Sequence, residues 1–355
     1  MNQKPVFFKL FACCLIAKGF TRSIIYDLQR KEYHIFPNSL YDILHLYPNK
    51  SIQEIKDQYD EASHPIIDTY FQYLFDKELA FPCNYDDLSH FPDLNLQWET
   101  PLIIENFILD IDKKSNHDFV EIINSLSQIT LKVIQLRFFY DADIYVIEKI
   151  MQLIRKSDIR TVELIVPNNE SIDEDKWVKL TEENLKLITI IIYNSTKYNI
   201  KYNKQAAIIQ TEENVLSPNG CGKVSKELFT CNLNLFKESQ NYNTCLNCKA
   251  SIDVNGEIKN CPSMPQSFGH YKNVSLENIV KTPEFQRLWK IKKDDIEVCK
   301  DCEFRYMCTD CRVFIKNSLN IYSQPAKCTY NPYIAKWEGE NGYYTVEEWG
   351  KNNNE

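Results

Sequence analysis

Residues 299–311, "CKDCEFRYMCTDC", place four cysteines in thirteen positions, and Cys328 follows after sixteen intervening residues. This stretch constrains the fold more than any other. Thiols at C-x2-C spacing either share a metal centre or cross-link, and each outcome fixes the backbone around them. Ten of the thirteen cysteines lie beyond residue 220. Disulfide frameworks belong to secreted chains under about 100 residues, whereas this chain has 355. The spacing therefore predicts metal ligation in a reducing compartment, and hence a cytoplasmic protein. Soft thiolates suit iron–sulfur clusters and zinc alike, so spacing alone leaves both open. Cys13, Cys14 and Cys83 stand apart in apolar runs and are expected to pack as small hydrophobic side chains.

The net charge of −8 disfavours general nucleic-acid binding, which needs a basic face, without excluding a local basic patch. The opening "MNQKPVFFKLFACCLIAKGF" superficially resembles a signal peptide, but Lys9 and Lys18 interrupt its apolar run and no small-residue cleavage site follows. It reads as a strand. No segment approaches the roughly 20 apolar residues that span a bilayer, so no membrane association is expected.

The patterning predicts an α/β multidomain chain. In residues 1–98, "PVFFKLFACCLIA" is strand-like and Lys18-Gly19 marks a hairpin turn. "SIIYDLQ" and "EYHIFP" flank a second hairpin. Asn38 or Ser39 can cap the helix "SLYDILHLY", which Pro48 ends. Ser51 with Glu54 makes a capping-box pattern ahead of a second helix. A third, "PIIDTYFQYLFDKEL", carries Ile67, Tyr70, Phe71 and Leu74 at helical spacing. Strands, three helices and a short extended "AFPC" are the order of a winged helix-turn-helix. A zinc-stabilised DNA-binding regulator is one reading of that order. Against it, the second helical stretch sets Glu54, Asp57, Asp60 and Glu61 against Lys56 alone, and phosphates would be repelled.

Residues 99–215 alternate strand-like and helical runs, "LIIENFILDI", "TLKVIQLRFF", "TVELIVP" and "LITIIIY" being the strands. That alternation predicts βαβ units and a parallel sheet, a partial (β/α) barrel or open layer with too few units for a closed one. Residues 216–335 are cysteine-rich, with a hairpin at Asn255-Gly256, and 336–355 form a tail. Phosphate-loop, H-E-x-x-H and G-x-S-x-G patterns are missing. The acid pairs Asp110/Asp112 and Asp141/Asp143 lie at strand ends, where catalysis is conceivable but caps and solvated carboxylates are commoner.

The full arrangement is Cys245-x10-Gly256-x4-Cys261, then Cys299-x2-Cys302-x5-Cys308-x2-Cys311, then Cys328. This resembles the SPASM domain, the auxiliary-cluster extension of radical S-adenosylmethionine enzymes that act on peptides; the family usually has three residues, not two, before the cysteine matching Cys311. The resemblance implies two [4Fe-4S] clusters. Cys299, Cys302, Cys308 and Cys328 would hold one, and Cys245, Cys261 and Cys311 part of the other. The fourth ligand would be Cys231, with Cys248 and Cys221 as alternatives. The 1–98 unit is similar to PqqD-like peptide-recognition domains, through "YDLQRKEYHIFPNSLYDIL", "SIQEIKDQY" and "YFQYLFDKELAF". Such domains bind a precursor's leader as an added strand. Here that implies Tyr33, His34, Ile35 and Phe36 on the strand, with Tyr70, Tyr73 and Leu74 opposite, although any one of them could equally be core.

Radical S-adenosylmethionine enzymes also carry C-x3-C-x2-C after the first barrel strand. This chain has none, and no two of its cysteines have three residues between them. The three-part order resembles the SPASM-domain peptide maturases of grasp-with-spasm systems, in which such a protein accompanies an ATP-grasp ligase and a short precursor. The implied function is maturation of a ribosomal peptide natural product, with precursor and ligase as partners, no catalytic residue assigned, and clusters that are structural. The alternative is an iron–sulfur redox or radical enzyme that modifies the peptide directly.

Overall fold

The computed structural model describes residues 5–216 and 221–353. The first apolar run does not form one strand. It divides into β1 (Phe7–Leu10) and β2 (Cys14–Lys18), which lie in different sheets. β2, β3 (Ser23–Asp27) and β4 (Glu32–Phe36) make an antiparallel sheet in sequential order. Three helices follow, α1 (Asn38–Leu46), α2 (Ile52–Lys56) and α3 (His64–Asp76), and then β5 (Ala80–Cys83), which pairs with β1. The Ser51–Glu54 capping box forms in full, satisfying donors at both ends of the first turn. The cap expected at Asn38 or Ser39 does not form: Pro37 is the N-cap. Asn38 instead bonds back across the first hairpin, donating to the carbonyls of Gly19 and Phe20 and accepting from Ser23. α1 ends before Tyr47, because the residue before Pro48 is pushed out of the helical region.

The central sheet has eight strands. β6 (Asn106–Ile111), β7 (Val133–Phe138), β8 (Thr161–Pro167) and β9 (Leu187–Tyr193) are parallel neighbours. They are joined by α4 (Phe119–Gln128), α5 (Ile144–Arg155) and α6 (Glu174–Glu183). Asp118, Asp143 and Asp173 cap these helices through their side chains. Alternate residues such as Ile134, Leu136 and Phe138 are buried in the main core with Ile147, Met151 and Trp177 from the helices. Two additions extend the sheet. β10 (Asn199–Asn203) and β11 (Ala206–Gln210) form a hairpin whose second strand runs parallel beside β9.

At the opposite edge the cysteine-rich region contributes β12 (Lys249–Ile252), parallel to β6, and β13 (Ile258–Lys259). The sheet thus runs across the sequence boundary near 215. The Asn255-Gly256 turn is longer than two residues, occupying 253–257: the Asp253 carboxylate accepts from the amides of Asn255 and Glu257, and Gly256 is left-handed at φ +86°.

Beyond residue 221 come α7 (Leu233–Ser239), α8 (Leu276–Val280), α9 (Pro283–Gln286), β14 (Tyr330–Asn331), β15 (Lys336–Trp337) and α10 (Val346–Asn353). The elements are short, and coil between them carries most of the cysteines. Among the described residues no helix is long and apolar enough to cross a membrane.

Candidate metal centres and peptide edge

All thirteen cysteines are free thiols. Cys299, Cys302, Cys308 and Cys328 line one small apolar cavity. Val298 adopts φ +67° and turns the chain into a single 3-10 turn, 299–301, so that the Cys302 amide bonds back to the Cys299 carbonyl at 3.0 Å. Phe304 and Tyr330 form part of the apolar wall. Burial pushes Cys299 up to about 12 and raises Cys302 and Cys308. A buried ammonium opposes that rise: Lys293 Nζ stands 3.6 Å from Cys308 Sγ and 3.9 Å from Cys299 Sγ.

A second group forms around Cys311. Cys221 bonds to Cys311, and both interact electrostatically with Cys245, as does Cys261. The bond from Cys221 drives Cys311 below the usual thiol range and raises its own value. Gly222 makes the approach possible. It is left-handed at φ +76°, and a Cβ there would meet Cys311 Cβ at 3.1 Å and Sγ at 3.2 Å. The Asn243 side chain accepts from the amides of Cys245 and Leu246 and orients the start of the C-x2-C pair. This quartet also has an ammonium, with Lys249 Nζ 3.8 Å from Cys245 Sγ.

The structure places Cys231 elsewhere. Its thiol donates to the carbonyls of Glu32 (3.0 Å) and Asp27 (3.8 Å), and it packs with Ala17, Ile24 and Tyr26. Cys248 is also apart, buried beside Asn247, with a carbonyl that accepts from Glu105 and Asn106 at the entry to β6. Of the three alternatives for the eighth ligand, the fold brings Cys221 to the others.

Can either quartet hold a metal? Four thiolates around zinc at about 2.3 Å would stand about 3.8 Å apart. Among the described residues, only Cys13, Cys14 and Asp27 put three donors within 4.8 Å of one another. Among the described residues neither quartet brings three of its thiols within 4.8 Å of one another. The Cys13–Cys14–Asp27 trio has another explanation. Asp27 accepts from the amides of Gln29 and Arg30 and from the Arg30 guanidinium, closing the β3–β4 turn.

The N-terminal sheet is bolted to the first quartet. The Arg22 guanidinium pairs with Glu303 at 2.6 Å, and Tyr330 OH donates to the same carboxylate oxygen. Tyr26 OH donates to the Glu303 carbonyl, Phe20 N–H to Asp301, and Arg305 to the Lys18 carbonyl. Tyr33 packs its ring against Phe304. All these contacts fall between Cys299 and Cys308.

On the free side of the N-terminal sheet, β4 has β3 as its one neighbour. Gly19 N–H bonds to Arg22 O and Leu28 N–H to Cys13 O. By alternation, residues 22, 24, 26 and 28 face β2, and 23, 25 and 27 face β4. The β4 partners of those last residues are Phe36, His34 and Glu32. The remaining pair, Tyr33 and Ile35, therefore turn their amides and carbonyls outward. α3 walls this edge through Tyr73 OH, 3.3 Å from His34 Nδ1, while Tyr70 OH bonds Ser39 Oγ. Phe36 and Leu74 are core residues; Ile35 is exposed.

At the C-terminal ends of the parallel strands, Asp110 is held by Arg137 through two bonds of 2.6 and 2.7 Å. Asp112 closes its own turn onto Lys114 and Ser115, and Asp143 caps α5. Asp141 lines a shallow open pocket.

Residues 244–303 match the SPASM family, described as an iron-sulfur cluster-binding domain. Cys221, Cys308, Cys311 and Cys328 lie outside the matched residues. No curated protein matches the chain. Among solved structures it is similar to SuiB of Streptococcus suis, determined bound to S-adenosylmethionine. That likeness has 11% identity and a TM-score of 0.34, over 86% of this chain and 96% of SuiB. It is too remote to carry any residue across.

Proposed function

We propose that this protein serves the maturation of a ribosomally made peptide by capturing the precursor's leader at β4 and presenting the rest to an ATP-grasp ligase. The observation that carries this reading is the open β4 edge. Tyr33 and Ile35 offer backbone donors and acceptors there, α3 stands beside them, and a neighbouring strand is missing among the described residues. An extended peptide adds to such an edge through main-chain bonds, with side-chain pockets giving specificity. DNA finds little here, since Lys56 of α2 is engaged by Asp68 at 2.7 Å.

Each quartet offers four thiolates, which would complete the coordination of one [4Fe-4S] group. When bound, such a group supplies a rigid covalent cross-link between distant segments. The ligand sets interlace: Cys308 and Cys328 belong to one quartet and Cys311 between them to the other. Four ligands per group leave no open iron, which supports a structural role.

The test uses a precursor peptide selected by screening short peptides of the source genome for binding to this protein, fluorescently labelled at its leader. Ile35→Pro removes one outward amide without touching the β3–β4 ladder, and should weaken binding at least about tenfold. Ile35→Val should bind normally. Equal affinity for the proline variant would defeat edge capture. A mass change in the precursor on anaerobic incubation with reductant and S-adenosylmethionine, without ligase, would replace the structural role with an enzymatic one.

A further inference from the structure

Each quartet has one lysine ammonium against its thiols, and nothing in the sequence motif asks for either. Lys293 is 4% exposed, and its ammonium faces Cys299, Cys308 and, at 3.6 Å, Asp310. A lysine has three N–H donors and no acceptor, so buried partners must be acceptors. Asp310 does not balance the charge alone. It is already held by Arg312 at 2.5 Å and by the Asn243 amide at 2.6 Å. Two buried cations thus share one carboxylate, and the surplus positive charge points at the cysteines. Burying a cation without a counter-charge is prohibitive; a thiolate-bound group with net negative charge supplies one. Lys249 repeats the arrangement at the second quartet from a half-buried position on β12.

We infer that Lys293 and Lys249 each donate a hydrogen bond to the sulfur atoms of one quartet and thereby set that quartet's reduction potential separately. This rests on the iron–sulfur reading of the quartets. Donors and positive charge beside a cluster favour its reduced, more negative form, so they raise the potential. The two positions also differ in strength. Lys293 reaches two thiols from a dry site, where electrostatic effects are larger, whereas Lys249 reaches one.

The experiment is a potentiometric titration of the full-length protein, reconstituted anaerobically with iron and sulfide and followed by electron paramagnetic resonance. Wild type should show two midpoints. Lys293→Met, which keeps chain length and bulk, should lower one and leave the other in place. Lys249→Met should lower only the other, by a smaller shift, and Lys293→Arg should restore most of the first. Unmoved midpoints would overturn the inference, as would both midpoints drifting together in each single variant, which signals general loosening. If Lys293→Met cannot fold, Lys249→Met decides alone, because its side chain is only partly buried. A wild-type protein that takes up no iron and sulfide would sink the cluster reading itself, a result separable from static midpoints in a fully loaded protein.

Discussion

The two quartets are built to the same count from different materials. The first, Cys299, Cys302, Cys308 and Cys328, lies in an apolar cavity, with a dry lysine and the N-terminal sheet fastened to its loop. The second, Cys221, Cys245, Cys261 and Cys311, lies near the edge of the central sheet. Cys221 there is exposed and Lys249 half-buried. The same donor set thus does two jobs. On the proposed reading one centre would join the β2–β4 sheet to the cysteine-rich region, and the other would hold the Cys221 and Cys311 segments to the β12 edge of the central sheet. What differs is what else hangs on the ligand loop.

The largest effect should come from breaking the joint. Cys302→Ala removes a ligand in the loop that anchors Phe20, Arg22, Tyr26 and Tyr33, and the protein should become insoluble or lose about half of its iron with a collapse in thermal stability. Cys221→Ser should halve the iron yet leave β4 protected in hydrogen exchange. Equal damage from both would erase the distinction between the centres. Next in size is Arg22→Met. It leaves Glu303, fully buried with one carboxylate oxygen already unpartnered, without its cation. Removing one partner of a buried pair costs about 3 kcal/mol, less here because Arg22 is partly exposed. Denaturant unfolding of the iron-loaded protein measures it, and the loss should appear as faster exchange at the β3-facing amides of Glu32, His34 and Phe36.

A third test concerns Glu238, whose carboxyl burial lifts from 4.5 to about 7 while the Asn247 amide resists that rise. A raised carboxyl pKa means that the native state holds its proton longer than the unfolded chain does. Stability then falls as pH climbs from about 4.5 to about 7 and stays low above that. Glu238→Gln removes the penalty. Its advantage over wild type should grow through that window to about 3 kcal/mol at pH 8. Because Glu238 also interacts with Lys249, the second centre alone should feel the change.

Much of this arrangement was legible in the residues, and the unread parts share a cause. The βα alternation and the Ser51–Glu54 box are local patterns, and they stand in the fold as periodicity and spacing imply. Contacts between distant segments leave no local trace. Nothing near Ala250 announces a strand that extends a sheet begun at Asn106. Nothing near Lys293 announces its thiols, and nothing at Arg22 announces Glu303. Strand parity is another such case. That Ile35 rather than His34 offers its amide outward follows from the Gly19–Arg22 turn, and composition cannot supply it.

The smallest effect sharpens the comparison most. The family resemblance puts Cys231 first for one position, with Cys248 and Cys221 as alternatives, and they differ in what surrounds them. Cys231 has its thiol bonded to two backbone carbonyls of the β3–β4 turn, and burial pushes it up to about 12. Ligation needs a thiolate, and a thiol that donates to carbonyls in a dry pocket is stabilised in its protonated form. Cys221 instead sits beside Gly222, whose missing Cβ admits Cys311. Cys231→Ala should therefore keep the full iron content and cost only about 1 kcal/mol, for a lost sulfur contact and a small void. Iron and sulfide quantification with a melting curve on the same sample checks both halves. Loss of half the iron in Cys231→Ala, with none lost in Cys221→Ser, would reverse the assignment and join the second centre, too, to the β2–β4 sheet.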